Sequence, residues 1–109
     1  ALTWTGGPFD AILLDAPCSA TATFRRHPEV LYRASQSIIA DSAALQTKLL
    51  AHAATLLKPG GTLVYAVCSL EPEEGEQVVA AIPPSLRIDP IMAGELPAGI
   101  SPHERGWLR

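Results

Sequence analysis

The residues with the most chemistry in this chain are its two cysteines. Cys18 lies in Asp15-Ala16-Pro17-Cys18-Ser19 and Cys68 in Val67-Cys68-Ser69; each is followed by a serine and each follows an apolar run. A thiolate is strongly nucleophilic even when little of the thiol is ionised. Two cysteines brought to one rim would suit covalent catalysis, and Asp15 would add a carboxylate beside them. Taken singly, each residue has a plainer reading. A lone cysteine is usually a small, inert buried group, and an aspartate ending a strand is often a turn former. A Cys18–Cys68 disulfide is compatible with the spacing, but no export signal is present, so reduced thiols are expected. A zinc site is not expected, because there is no CxxC pair and His27, His52 and His103 are scattered. A thiol hydrolase would need a histidine at the nucleophile and a group to orient it. His27, followed by Pro28, reads better as part of a loop.

Placing the two motifs side by side requires particular elements. Phe9–Leu14 is a nearly continuous apolar run, which predicts a strand buried on both faces, as in a parallel sheet. Pro17 ends it. Residues 18–34 read as a long loop with at most one helical turn, and long loops in small domains often carry function. Ser35 to about Leu57 predicts a helix, with Ile38, Leu45, Leu49, Ala53 and Leu56 at helical spacing. Ser35 or Ser37 would cap its start, and Lys58-Pro59-Gly60-Gly61 would stop it. Thr62–Val67 predicts a second strand. A second helix is expected from Pro72 to about Ala81, ended by Pro83-Pro84. In its first turn Glu71, Glu73, Glu74 and Glu76 read as dipole-compatible, solubilising charge. Leu86–Asp89 is a candidate third strand. Residues 90–109 carry no periodicity, and Trp4 and Trp107 read as packing groups.

A strand, a helix of some twenty residues and a strand imply a right-handed crossover and a parallel pair. The expected fold class is therefore α/β: a partial, Rossmann-like doubly wound domain with a mostly parallel sheet. In such sheets ligands bind outside the carboxyl ends of the strands, which is where Asp15, Cys18 and Cys68 would fall.

Composition narrows the function classes. With 109 residues, 48% of them hydrophobic, the chain can form one small core. A net charge of −3 argues against a module held to nucleic acid by a global basic field. There is no apolar stretch long enough to span a bilayer and no secretory leader, so a cytoplasmic protein is expected.

The segments FDAILLDAPCSATATFRRHPEVLYR, LQTKLL and LLKPGGTLVYAVCSLEPEEGEQVV together resemble the catalytic half of the Sun-type RNA cytosine-5 methyltransferases, the family that includes the bacterial small-subunit ribosomal RNA enzyme. The resemblance covers roughly residues 9–80. LLKPGGTLVY alone would indicate only a fold like that of many S-adenosylmethionine-dependent methyltransferases; the two cysteine motifs in this order make it specific. It implies an RNA substrate, small-subunit ribosomal RNA being the best match, and S-adenosylmethionine as cofactor, with no membrane or metal partner. It further implies that Cys68 attacks cytosine C6, that Cys18 helps release the enzyme, and that Asp15 lies between cofactor and base. Asp15, Ala16 and Pro17 would line the cofactor side. Arg25, Arg26 and Arg33 would meet RNA phosphates, and the target base would be unpaired or flipped.

The family usually has glycines where this chain has Ala20 and Ala22, and threonine where it has Val67. These are expected to be tolerated, although alanine lacks glycine's easy access to positive φ. No glycine-rich turn after a first strand is present, and neither is an acid to hold a ribose. The chain therefore reads as the C-terminal part of a methyltransferase domain, over residues 1–109, and is expected to be inactive alone. The rival reading is a non-catalytic α/β module that binds RNA or protein, with structural cysteines.

Overall fold

In the computed structural model, residues 2–108 are described. Strand β1 spans Phe9–Asp15 and β2 spans Leu57–Ala66. They pair in parallel, with Ile12 opposite Leu63, Leu13 opposite Val64 and Asp15 opposite Ala66. The connection between them carries a four-residue helix α1 (Val30–Arg33) and the long helix α2 (Gln36–Thr55). Helix α3 (Glu76–Ala80) follows β2. The class is α/β with a parallel sheet, as the order of elements implies.

Helix α2 begins where a serine can satisfy an orphan amide: the Ile38 N–H donates to Ser35 Oγ at 3.3 Å. It packs on both strands and buries Gln46, Leu50 and Ala53. Burial in the strands alternates. Ile12 and Leu14 are partly covered, whereas Leu13 is 70% exposed and its partner Val64 is 53% exposed. The apolar run in β1 thus does not produce a strand covered on both faces, because a single helical layer covers one side only.

Three further expectations are corrected. First, Lys58-Pro59-Gly60-Gly61 lies within β2 and is not a stop placed after the helix, which ends at its C-cap Leu56. Phe9 pairs with Leu57 but Ala11 already pairs with Thr62, so this segment bulges out of the ladder. Gly60 takes a φ of +79, and a Cβ on Gly61 would stand 2.9 Å from the Asp10 carbonyl oxygen. Both glycines are therefore required by the bulge. Second, α3 is shorter than the sequence suggests. Residues 72–75 form a turn with the Gln77 N–H donating to the Pro72 carbonyl at 2.9 Å, and regular helix begins only after Gly75. Third, Leu86–Asp89 forms no strand, and the described sheet has two strands.

The core is small and partly polar. Ala16, Val30, Leu50, Ala53 and Val78 are its buried apolar members, joined by Thr21, Gln46 and Glu74. The largest fully buried side chains are Gln46, Glu74 and Val78. Two of these three are polar, so the interior is organised around hydrogen bonds as much as apolar contact. Trp4 stacks on Phe9 and Trp107 on His103, so both tryptophans do pack against neighbours.

Candidate active site

The parallel register brings the two cysteine motifs together. β1 and β2 end level with each other at Asp15 and Ala66, and the ladder continues one step through Ala16 N–H to the Ala66 carbonyl at 2.9 Å. Beyond that point both chains leave the sheet on the same side. Cys18 Sγ lies 3.3 Å from Cys68 Sγ, and both are free thiols. This is a contact distance, not a bond. Cys18 is half-buried and Cys68 is exposed. Burial, followed by the hydrogen bond to Cys68, pushes the Cys18 thiol up to about 11. Cys18 therefore stays protonated at neutral pH and can donate its S–H to Cys68.

The serines that follow the cysteines meet as well. Ser19 and Ser69 hydroxyls both donate to Glu74 Oε2, the latter at 2.5 Å. Ser19 N–H donates to Glu74 Oε1 at 2.8 Å. Gln46, reaching up from α2, donates through Nε2 to Glu74 Oε1 at 3.2 Å and to the Pro17 carbonyl at 2.8 Å. Two acceptors on one nitrogen fix the orientation of the Gln46 amide. Thr21 completes the lattice by accepting from the Leu70 N–H at 2.9 Å and lying 3.3 Å from the Ser69 hydroxyl. Ala22 N–H donates to the Cys68 carbonyl at 3.2 Å, and Tyr65 OH to the Glu74 carbonyl at 2.6 Å.

Glu74 has no exposed surface. Burial would raise its pKa, but the hydrogen bonds from Ser19, Ser69 and Gln46 outweigh burial and hold the carboxyl below its ordinary value. It is thus a buried carboxylate whose charge is met by neutral donors. In the sequence it is one of four neighbouring glutamates, Glu71, Glu73, Glu74 and Glu76, that all have the look of solvated charge. The repeated serine, one after each cysteine, was the available signal, since two hydroxyls brought to one rim need a shared acceptor.

The remaining predicted residues divide. Asp15 is exposed at the end of β1, on the same rim as the thiols. Ala16 is buried with its N–H used by β2, and Pro17 has no N–H and a carbonyl engaged by Gln46. Arg25 and Arg26 are exposed on a turn that starts from the 3-10 helix Thr21–Thr23, the same turn that reaches the Cys68 carbonyl. Arg33 is exposed at the end of α1, farther along the chain. Among the described residues no cluster of three histidines, cysteines or acids could hold a metal ion. Among the described residues no helix is long and apolar enough to cross a membrane. A cleft of about 930 Å³ lies elsewhere, between the β2 bulge and the coil at Leu86–Ile91, and none of the predicted site residues lines it.

The paired cysteine motifs coincide with a family match that covers residues 2–87, to the family described as 16S rRNA methyltransferase RsmB/F. The chain belongs to this family. Among its relatives, the ribosomal RNA small subunit methyltransferase B of Shewanella oneidensis is 49% identical over 78 residues, covering 72% of this chain and 18% of that protein. The protein of the same name from Thermus thermophilus is 52% identical over 83 residues, covering 73% and 21% respectively. The crystal structure of PH0851 matches with a TM-score of 0.76 at 35% identity, covering 89% of this chain and 22% of that one. The RsmB/F chain described here therefore spans about a fifth of the length of these relatives. A methyltransferase family works with a methyl donor.

Proposed function

We propose that the protein carrying this chain is an S-adenosylmethionine-dependent RNA cytosine-5 methyltransferase acting on small-subunit ribosomal RNA in the cytoplasm. In this reading the chain is the C-terminal part of its catalytic domain. The observation that carries the proposal is the 3.3 Å approach of Cys18 Sγ to Cys68 Sγ beyond two adjacent parallel strands, in a chain of this family.

Cytosine C5 is too weak a nucleophile to take a methyl group unaided. The Cys68 thiolate adds to C6, forming a C–S bond and moving the ring electrons onto C5. S-adenosylmethionine, when bound, supplies the electrophilic methyl. A base then removes the C5 proton, the C–S bond breaks, and 5-methylcytosine leaves as the double bond re-forms. Cys68 suits attack because it is the exposed member of the pair, and Cys18 donates an S–H toward it. That contact places the protonated Cys18 thiol beside the attacking sulfur, where it can follow the C–S bond as it breaks. A base must be splayed from its stack to reach this rim, and Asp15 stands there to accept from the exocyclic amine or hold a protonated N3.

The residues present fit one side of a cofactor site only. Asp15 offers an exposed carboxylate, while Ala16 and Pro17 have their backbone groups engaged and contribute shape. The groups that would hold the remainder of S-adenosylmethionine belong to the part of the protein outside residues 1–109, so this chain alone is expected to be inactive. The exposure of Cys68 weighs against the reading of both cysteines as structural.

The test is Cys68→Ala in the full-length enzyme, which should abolish methylation of small-subunit ribosomal RNA. Retained methylation would remove Cys68 from the nucleophile role. Cys18→Ala should instead accumulate a covalent RNA–protein adduct visible on a denaturing gel.

A further inference from the structure

We infer that Glu74 is a positioning residue for the two-cysteine reaction, holding the attacking and releasing thiols in mutual register through Ser19 and Ser69. The inference deepens the proposed function and rests on it for the roles of the thiols, but its geometric part stands on its own. The two cysteines are fifty residues apart and lie in two loops that have already left the sheet. The ladder fixes them only as far as Ala16 and Ala66. Past that point the loops need another tie: Thr21 and the Ala22 N–H join them farther along, but the hydrogen bonds made by the serine after each cysteine meet on one carboxylate.

Glu74 takes the hydroxyl of the serine next to Cys18 and the hydroxyl of the serine next to Cys68 on the same oxygen, Oε2. Its other oxygen takes the Ser19 N–H, which orients the peptide between Cys18 and Ser19. Gln46 joins this oxygen to the Pro17 carbonyl and so anchors the assembly to α2. Charge-assisted hydrogen bonds of this kind are about twice as strong as neutral ones. Their acceptor, Glu74, has no exposed surface, which limits competition from water. The carboxylate has no exposed surface and its hydrogen bonds go to Ser19, Ser69 and Gln46 and not to either sulfur, so it acts through its neighbours. Each thiol is one residue away from a serine it holds. The turn at residues 72–75 and the late start of α3 are what let Glu74 point inward, where a regular helix from Pro72 would have begun earlier.

The experiment uses the full-length enzyme with Glu74→Gln, which keeps the shape but replaces one accepting oxygen by a donating NH₂ group. Three quantities are read on protein shown to be folded by circular dichroism. The first is the rate at which diamide closes a Cys18–Cys68 disulfide, followed by mass spectrometry. In that step two thiols lose two protons and two electrons, one S–S bond forms, and diamide is reduced to the hydrazine. The second is kcat and KM for methylation, and the third is the fraction of enzyme held as RNA adduct. The expected result is disulfide closure slowed about tenfold or more, kcat reduced by a similar factor, and KM for RNA changed by less than about threefold. The adduct should build up, as release depends on Cys18 meeting the adduct at the right distance. A role confined to stability would leave the disulfide rate, the KM-against-kcat split and the adduct fraction of the folded variant unmoved. Such a result overturns the inference, as does slowed disulfide closure with unchanged kcat. Should Glu74→Gln fail to fold, Ser69→Ala removes one donor and leaves the carboxylate three, and the same three readouts apply with smaller changes. The two readings fail separately. Retained methylation by Cys68→Ala removes the proposed function, whereas an unchanged disulfide rate in Glu74→Gln removes the positioning role whatever reaction the thiols perform.

Discussion

Replacing Gln46 by glutamate puts the polar core to a quantitative test. The change is nearly isosteric but turns a donor into a second carboxyl at 3.2 Å from Glu74 Oε1, where neither side chain has exposed surface. Two full charges at that separation repel by about 5 kcal/mol at an effective dielectric of about 20. The protein has a cheaper course, which is to protonate the introduced carboxyl. Raising its pKa from an ordinary value near 4.3 to pH 7 costs about 3.7 kcal/mol, at about 1.4 kcal/mol per unit. Protonation therefore wins over repulsion, and the protonated acid can donate to Glu74 much as the amide did. What it cannot do is also reach the Pro17 carbonyl, a residual loss of about 1 kcal/mol. The introduced group has its folded pKa raised, so the variant is nearly as stable as wild type below the unfolded value near 4.3 and falls away as pH rises. Glu74 in the wild type has its folded pKa lowered, so its contribution is present above the ordinary carboxylate value and is lost as pH falls. The two proteins should thus diverge steadily from about pH 5 to pH 7, by about 1.4 kcal/mol per unit. Urea unfolding followed by circular dichroism across that range measures it. A penalty that does not change with pH would refute the reasoning, because it would mean that no buried carboxylate stands opposite position 46.

Other outcomes follow from the same structure. Ala20 sits at φ +60 in the left-handed region, so Ala20→Gly should raise stability by about 0.5–1 kcal/mol after allowing for glycine's freer unfolded chain. A lower melting temperature for this variant would contradict the backbone assignment. Iodoacetamide at pH 8 should label the exposed Cys68 before Cys18, whose thiol is half-buried and pushed up to about 11. Peptide mapping that finds Cys18 labelled first would reverse the assignment of attacker and helper.

Much of the architecture is legible in the sequence. The apolar run of β1, the stripe of α2 and the β-branched residues of β2 are local patterns, and local patterns decide local structure. Serine at position 35, proline at 17 and the two cysteines at strand ends are similarly read from neighbours in the chain. Less legible were the ends of elements. Lys58-Pro59-Gly60-Gly61 has the composition of a helix stop, yet β1 runs alongside and draws it into the sheet as a bulge. Leu86–Asp89 has strand composition but acquires no partner, and a strand without a partner is only extended coil. The departure at Ala20 was visible as an alanine in a family glycine position, and its positive φ explains why glycine is favoured there.

The sequence by itself determined that two thiols and an acid belong at the carboxyl ends of two parallel strands, because apolar periodicity and a proline break are enough to place a strand end. Only the tertiary structure decided which glutamate among four goes inside. Glu71, Glu73, Glu74 and Glu76 share the same local context, and a carboxylate is normally best left in water. Glu74 is buried because Ser19, fifty-five residues away, Gln46, twenty-eight away, and Ser69 supply the hydrogen bonds that replace that water. Donors so distant in the chain become neighbours only when the sheet and helix have formed, and no reading of one segment at a time can bring them together.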